Sequence, residues 1–448
     1  MKLTDLDRDV AQAVLGVDTL WGGDVMNPSG TGRFIADSWF SDAPLPDAYT
    51  HASAAKLRET GGVCAKEIDH AAIHAYLKAV DVEGAIAGVA AAAMRAGGGR
   101  GAYLLSVADS CRVMYDLVLE LVGDGPKVPY TRAVRASTGK DPSPSDPSHD
   151  RDMVRKILTA NGQMAKSGGD LIAAVDAWRG ERAVAGREVA AKSTGVIADY
   201  EALTRKNLHP HLPPELRDVP MANISFLSIE NAWFSGSMNY IGRARNMDGT
   251  PQYEATYEIN ASLQISMPEF QQLVSHEVVP GHVTTFAFLQ KLYRMGKIGF
   301  EGTVLTMNTR FAALAEGIAN NAILIAHGVT SIEDLGDPDL QLGVLLALLQ
   351  DQAKNQSSWL TWGEGKPTAE VAAVLRQDYL VSAERADKLS GAWGRHPLLG
   401  RMYLPAYRAG TELVASLRKN HPAEKVLPVL YGCAGLVDVV TVVDALGS

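Results

Sequence analysis

The sequence predicts a mainly α protein, a large helical body with a small β-sheet, and three observations lead to that reading. Ala-rich segments of helical periodicity fill residues 50–208, as in HAAIHAYLKAV at 70–80 and AYLLSVADSCRVMYDLVLELVG at 102–123. Short runs of β-formers follow, NISFLSIENAWF at 223–234 and YEATYEINASLQI at 253–265, enough for a small sheet and no more. From Met267 helical patterns return: the stretch to 295, then 303–327, 339–356, 368–381, 401–419 and a last pair ending at Leu446.

The breaks between these elements have their own chemistry. GKDPSPSDPSHD at 139–150 has the Pro, Ser and Asp content of an exposed loop, and HPHLPPELRDVP at 209–220 is a Pro-rich stop to the helical half. The chain therefore divides near residue 215, into a helical region 1–215 and a second region 216–448 that holds the sheet and the later helices. AGGGRG at 96–101 lacks both the lysine of a phosphate loop and a strand before it, and reads as a helix boundary. No repeat of 20 to 50 residues is evident.

Composition narrows the function. With 46% apolar and 21% charged residues the chain reads as globular, and no segment reaches the roughly 18 apolar residues that cross a bilayer. The opening MKLTDLDRDVAQAVLGV is charged and has no secretion-signal core, which places the expected location in the cytoplasm. A net charge of −9 without a Lys/Arg block argues against nucleic acid or anionic lipid, so a peptide or small amide is the expected partner. Cys64, Cys111 and Cys433 lie far apart and form no CxxC. The assembly state is left open.

One stretch carries chemistry. SHEVVPGHVTTF, 275–286, resembles the His-Glu-x-x-His helix that presents two histidines to zinc, but with Pro280 and Gly281 inserted before the second histidine. Residues four apart on a helix lie about 40° from each other around the axis and residues six apart about 120°, so His276 and His282 cannot face one ion on a regular helix. Pro280 forbids a regular helix, because it has no N–H for the His276 carbonyl. Either a bulge swings His282 back to the His276 face, or one helix ends at 279–281 and another starts at His282; a break can also bring the two together.

A protease-like zinc needs a third protein ligand. A helix to about Met295, the turn GKIGFEG and a returning helix through TVLTMNTRFAALAEGIANN form an antiparallel hairpin with its midpoint near Gly299. His282 and Glu316 each lie 17 residues from that midpoint, so equal arms bring them level. Glu316 sits among apolar neighbours, where a carboxylate is costly unless paired or metal-bound. Asn320, one turn on, is placed to hold that carboxylate, whereas His327 before Gly328 is a helix-terminal residue outside the site.

These residues resemble the bacterial family known as domain of unknown function 885, similar to gluzincin-type zinc metallopeptidases. Its HE-x-x-PGH is matched by His276 to His282, its EG-x-A by Glu316-Gly317-Ile318-Ala319, and its Y-x-x-G by Tyr407-Arg408-Ala409-Gly410. Its Asn-ending strand has a counterpart in YEIN, 257–260. The resemblance covers about 220–415. Val283 and Ile318 replace a second histidine and a tryptophan that members often carry, which leaves the ligand set intact and bears on pocket shape. The resemblance implies a gluzincin-like architecture, with the sheet beside a pair of zinc-site helices.

The expected chemistry is Zn²⁺ held by His276, His282 and Glu316, Glu277 as general base, and Tyr407 as oxyanion donor, with Tyr403 one turn earlier as the substitute. Both tyrosines could instead pack a core helix. Arg395 and His396 could bind a substrate carboxylate or cap a turn. The strand containing YEIN is expected to offer a free edge to an extended peptide. A metallopeptidase follows, with a zinc hydrolase of non-peptide amides or esters and an inactive binding protein as alternatives.

Overall fold

A computed structural model describes residues 3–27, 35–229, 236–260 and 264–447. The chain is mainly helical, as its periodicity predicts, with small two- and three-stranded sheets. The first helix, Asp5–Leu20, opens with a capping box between Thr4 and Asp7 and buries a continuous face from Val10 to Leu20. Gly98–Val122 is the longest helix of the first half. It begins at Gly97 and ends at Gly123, both at positive φ, so the glycine cluster is the helix boundary expected. The largest apolar core takes residues from both sides of residue 215, from Val10 to Leu446. Two short antiparallel strand pairs also cross that point, Ala36–Trp39 with Val304–Thr306 and Ala183–Ala185 with Gln264–Ser266. No helix among the described residues is long and apolar enough to cross a membrane.

The three-stranded sheet corrects one expectation. Ala255–Asn260, the strand containing YEIN, is central: Ile224–Ile229 pairs with it in parallel and Gly236–Tyr240 antiparallel. Tyr257 lies between Phe226 and Met238 in the register. A strand paired on both sides has no row of free N–H and C=O groups to give a peptide. The open edges of this sheet, among the described residues, belong to the outer strands. The expected strand residues 230–234 and 261–263 lie outside the described residues.

The return arm after the motif also differs from the single helix expected at 303–327. A 3-10 turn, Phe300–Thr303, leads into the strand Val304–Thr306, whose partner lies far back in the chain. Asn308 then turns the backbone at φ 59, and Thr309 caps a new helix, Arg310–Asn320, by accepting from the Ala312 N–H. A last helix, Ala322–His327, ends at left-handed Gly328, so His327 is the helix-terminal residue expected.

Helix Arg310–Asn320 and helix Leu404–Asn420 cross backbone to backbone. A Cβ on Gly410 would lie 1.7 Å from the Ala313 carbonyl oxygen, and one on Gly317 would lie 2.3 Å from that of Gly410. Only glycine fits either position. The crossing sets the side chains of 403–411 against Glu316 and Asn320. Gly410→Ala is expected to cost about 3 kcal/mol, the upper end of overpacking penalties, because the obstacle is backbone; denaturant unfolding measures it, and an unchanged midpoint would contradict so close a crossing.

Candidate metal centre

Helix Met267–Glu277 is capped by Ser266 and stops one residue after His276. Val278 leaves the helical region at φ −114 and ψ −81, the Val279–Pro280 bond is cis, and a second helix, His282–Arg294, starts directly after Gly281. Of the two readings open in the sequence, the break between helices is the one observed. It brings the His276 and His282 ring centroids to 4.8 Å. Gly281 permits this, since a Cβ there would lie 1.7 Å from the His276 carbonyl oxygen. The segment is pinned from outside by Tyr431, whose hydroxyl donates to the Pro280 carbonyl at 2.8 Å, and by Thr284, which donates to that of Val278.

Glu316 enters from helix Arg310–Asn320 and is 5% exposed. Its Oε2 is 3.5 Å from His276 Nε2 and 3.7 Å from His282 Nε2. Ligands about 2.1 Å from a tetrahedral ion sit about 3.4 Å from each other, so these two spacings are ones that a shared metal ion could bridge. One ligand atom from each of the three side chains lies within 4.8 Å of the others, and among the described residues no second such group occurs. Glu316 Oε2 and His282 Nδ1 are buried without a hydrogen-bond partner, in a group of two imidazoles and a carboxylate. This group could hold a metal ion.

The surrounding bonds orient it. His276 Nδ1–H donates to Asn320 Oδ1 at 2.8 Å, which leaves Nε2 with its lone pair toward Glu316. Asn320 therefore holds an imidazole, not the carboxylate the sequence assigned to it. Its Nδ2 donates to Thr411 Oγ1, and Thr411 donates to the Tyr407 carbonyl. The Tyr403 hydroxyl donates to Glu316 Oε1 at 2.6 Å, and that of Tyr407 donates to Tyr403 at 3.0 Å. The structure thus brings Tyr403, the substitute, against the carboxylate and sets Tyr407 one bond behind. Burial first, then the Glu316 charge, pushes both phenols well above their ordinary range, so both remain protonated.

Glu277, half-buried at the end of its helix, lies close enough for its charge to act on His282, Tyr257 and Tyr407. Burial, then the neighbouring His282, lowers His276 to about 3. Burial works against a proton on His282 too, but the Glu316 carboxylate and then Glu277 outweigh it and raise the pKa. For Glu316 burial is likewise outweighed, by His282 and then His276 and Lys354, which hold it at about 2. The shifts thus favour a proton on His282 over one on His276.

Arg395 and His396 lie elsewhere. Arg395 bonds Thr368 and the Lys366 carbonyl, while His396 Nδ1 accepts from the Leu398 and Leu399 N–H groups, which is the turn-capping alternative. Two neighbours of the site escaped the sequence reading: Lys354, over the Tyr407 ring, and its partner Asp351. Their signal was QDQAKNQSS at 350–358, a polar run too continuous for one exposed helix face; Asp351 and Lys354 to Ser358 are all buried.

No protein-family model matches the chain, and none of the curated proteins does. Solved structures that share its fold include two described as lipoproteins. One, described as a "putative lipoprotein of unknown function" from Shewanella oneidensis, is 14% identical with a TM-score of 0.53, covering 98% of this chain and 83% of that protein. The other, a "putative lipoprotein" from Colwellia psychrerythraea, is 15% identical with a TM-score of 0.50, covering 81% of this chain. The match spans 66% of the Colwellia protein's length. At these identities the likeness is one of fold.

Asn320→Ala is expected to weaken metal binding about 10- to 100-fold by freeing the His276 tautomer; competition against a chromophoric chelator reads it. Because a raised His282 pKa sets a proton in competition with a metal, affinity should rise as pH passes above the ordinary imidazole range, with proton release. Calorimetry in buffers of different ionisation enthalpy measures that release, and a pH-independent affinity would contradict it.

Proposed function

We propose that this chain is a zinc-dependent hydrolase of the metallopeptidase type, belonging with the domain of unknown function 885 proteins that its motifs resemble. The observation that carries the reading is the convergence of His276, His282 and Glu316 on one buried point beside Glu277. When bound there, zinc supplies Lewis-acid chemistry, polarising a carbonyl and lowering the pKa of water to about 7.

The chain's own residues do the rest. Glu277 follows a ligand in sequence and stays half-exposed, as a base needs to be if it accepts a proton from water and later returns it to the leaving amine. Tyr407 is the oxyanion donor. Tyr403, bonded to Glu316, orients that carboxylate and competes for the same part; loss of activity in Tyr403→Phe with Tyr407→Phe unaffected would exchange the two roles. With the YEIN strand paired on both sides, any strand-like docking of a peptide has to use an outer strand. The description of both structural neighbours as lipoproteins supports an envelope location over the cytoplasm; cell fractionation tests it.

Glu277→Gln is expected to keep stoichiometric zinc and to lose peptide hydrolysis by about 100-fold or more. His276→Ala should lose the metal itself. Elemental analysis with a peptide panel, before and after chelation, checks both; full peptidase activity in Glu277→Gln would remove the proposed base.

A further inference from the structure

Behind the two tyrosines lies an ion pair that the reaction as described does not use. Helix Pro338–Ser358 carries Asp351 and Lys354 one turn apart, 5% and 7% exposed, with Lys354 Nζ 2.8 Å from Asp351 Oδ1. The same ammonium lies 3.1 Å from the centroid of the Tyr407 ring. A buried ion pair is seldom more stabilising than apolar residues of similar size, so stability is a poor account of its presence. Its placement is specific. From Asp351 the contacts run through Lys354 to the Tyr407 ring, from the Tyr407 hydroxyl to Tyr403, and from Tyr403 to Glu316.

We propose that Lys354, held by Asp351, is a positioning residue for the Tyr407 phenol. A cation against the electron-rich ring face fixes the ring's tilt and draws electron density from it, which makes the hydroxyl a stronger hydrogen-bond donor. Asp351 keeps the ammonium on the ring instead of letting it reach Glu316. The kinetic part of this inference rests on the hydrolase reading above; the contact itself does not.

Two measurements on the zinc-loaded full chain test it. With ¹³Cζ-labelled tyrosine, the Tyr407 resonance is assigned by its loss in Tyr407→Phe. It should shift in Lys354→Met and return toward its native position in Lys354→Arg. In hydrolysis, Lys354→Met should lower kcat about tenfold, with KM changed less than about twofold, and should cost nothing further in a Tyr407→Phe background. Lys354→Gln serves in both arms if the Met variant does not fold. An unmoved Tyr407 resonance overturns the proposal, as does a Lys354 effect equally large without the Tyr407 hydroxyl. If the native chain hydrolyses nothing, the hydrolase reading fails, and the resonance alone decides this contact.

Discussion

A carboxylate in the middle of an apolar helix has to be answered by charge or by donors from other parts of the chain, and the site is organised around that demand at Glu316. One oxygen takes the Tyr403 hydroxyl, and the other faces two imidazoles. Neither answer is local. The imidazoles come from two helices joined by a break, and the tyrosine comes from a helix nearly ninety residues later. What lets them meet is backbone proximity at three glycines. Gly281 lets the chain fold back over the His276 carbonyl, and Gly317 and Gly410 let two helices touch where any Cβ would collide. Side-chain chemistry defines the site, and the missing side chains give it its geometry.

The hydrogen bonds then run in one chain through these elements. From Glu316 they pass through Tyr403 to Tyr407; from the Tyr407 carbonyl they pass through Thr411 to Asn320, and from Asn320 to His276. Helix Leu404–Asn420 and the short π-helix Leu399–Tyr403 before it thus govern both a carboxylate and a histidine of the candidate metal group. A small rotation of that helix would disturb both together. The motif fragments near 276, 316 and 407 are therefore parts of one mechanical unit, although about 130 residues separate the first from the last.

What the sequence revealed about this unit followed from local rules. Proline without an N–H requires a break, and a glutamate in an apolar run requires a partner; both statements hold whatever the rest of the chain does. Counting equal helical arms from Gly299 identified Glu316 even though one arm is built differently. Extended residues at 304–306 rise about twice as far per residue as helical ones, and the turn at Asn308 resets the direction before the helix resumes. The misreadings all depended on distant pairing. The edge assigned to the YEIN strand disappears because Ile224–Ile229 and Gly236–Tyr240 close on both sides. The partner of Asn320 depends on how the histidine helix lies against its own, which no spacing within either segment records.

Charge supplies the last link between burial and chemistry. Glu316 is held toward its charged form, His282 is shifted toward its protonated form by that carboxylate, and burial together with His282 shifts His276 toward its neutral form. A proton on one imidazole disfavours a proton on the other at this spacing, so the two titrate as a coupled pair beside Glu316. Behind it Asp351 and Lys354 cancel each other. Glu277 adds a half-exposed carboxylate whose charge acts on His282, and Arg385 acts on Tyr407 and Asp351. A divalent cation held by His276, His282 and Glu316 would set two positive charges against the Glu316 and Glu277 carboxylates. A buried site tolerates its ionised members best when they sum to zero. Two imidazoles and a carboxylate buried together therefore make a group that could hold a cation, with Glu277 beside it and open to solvent.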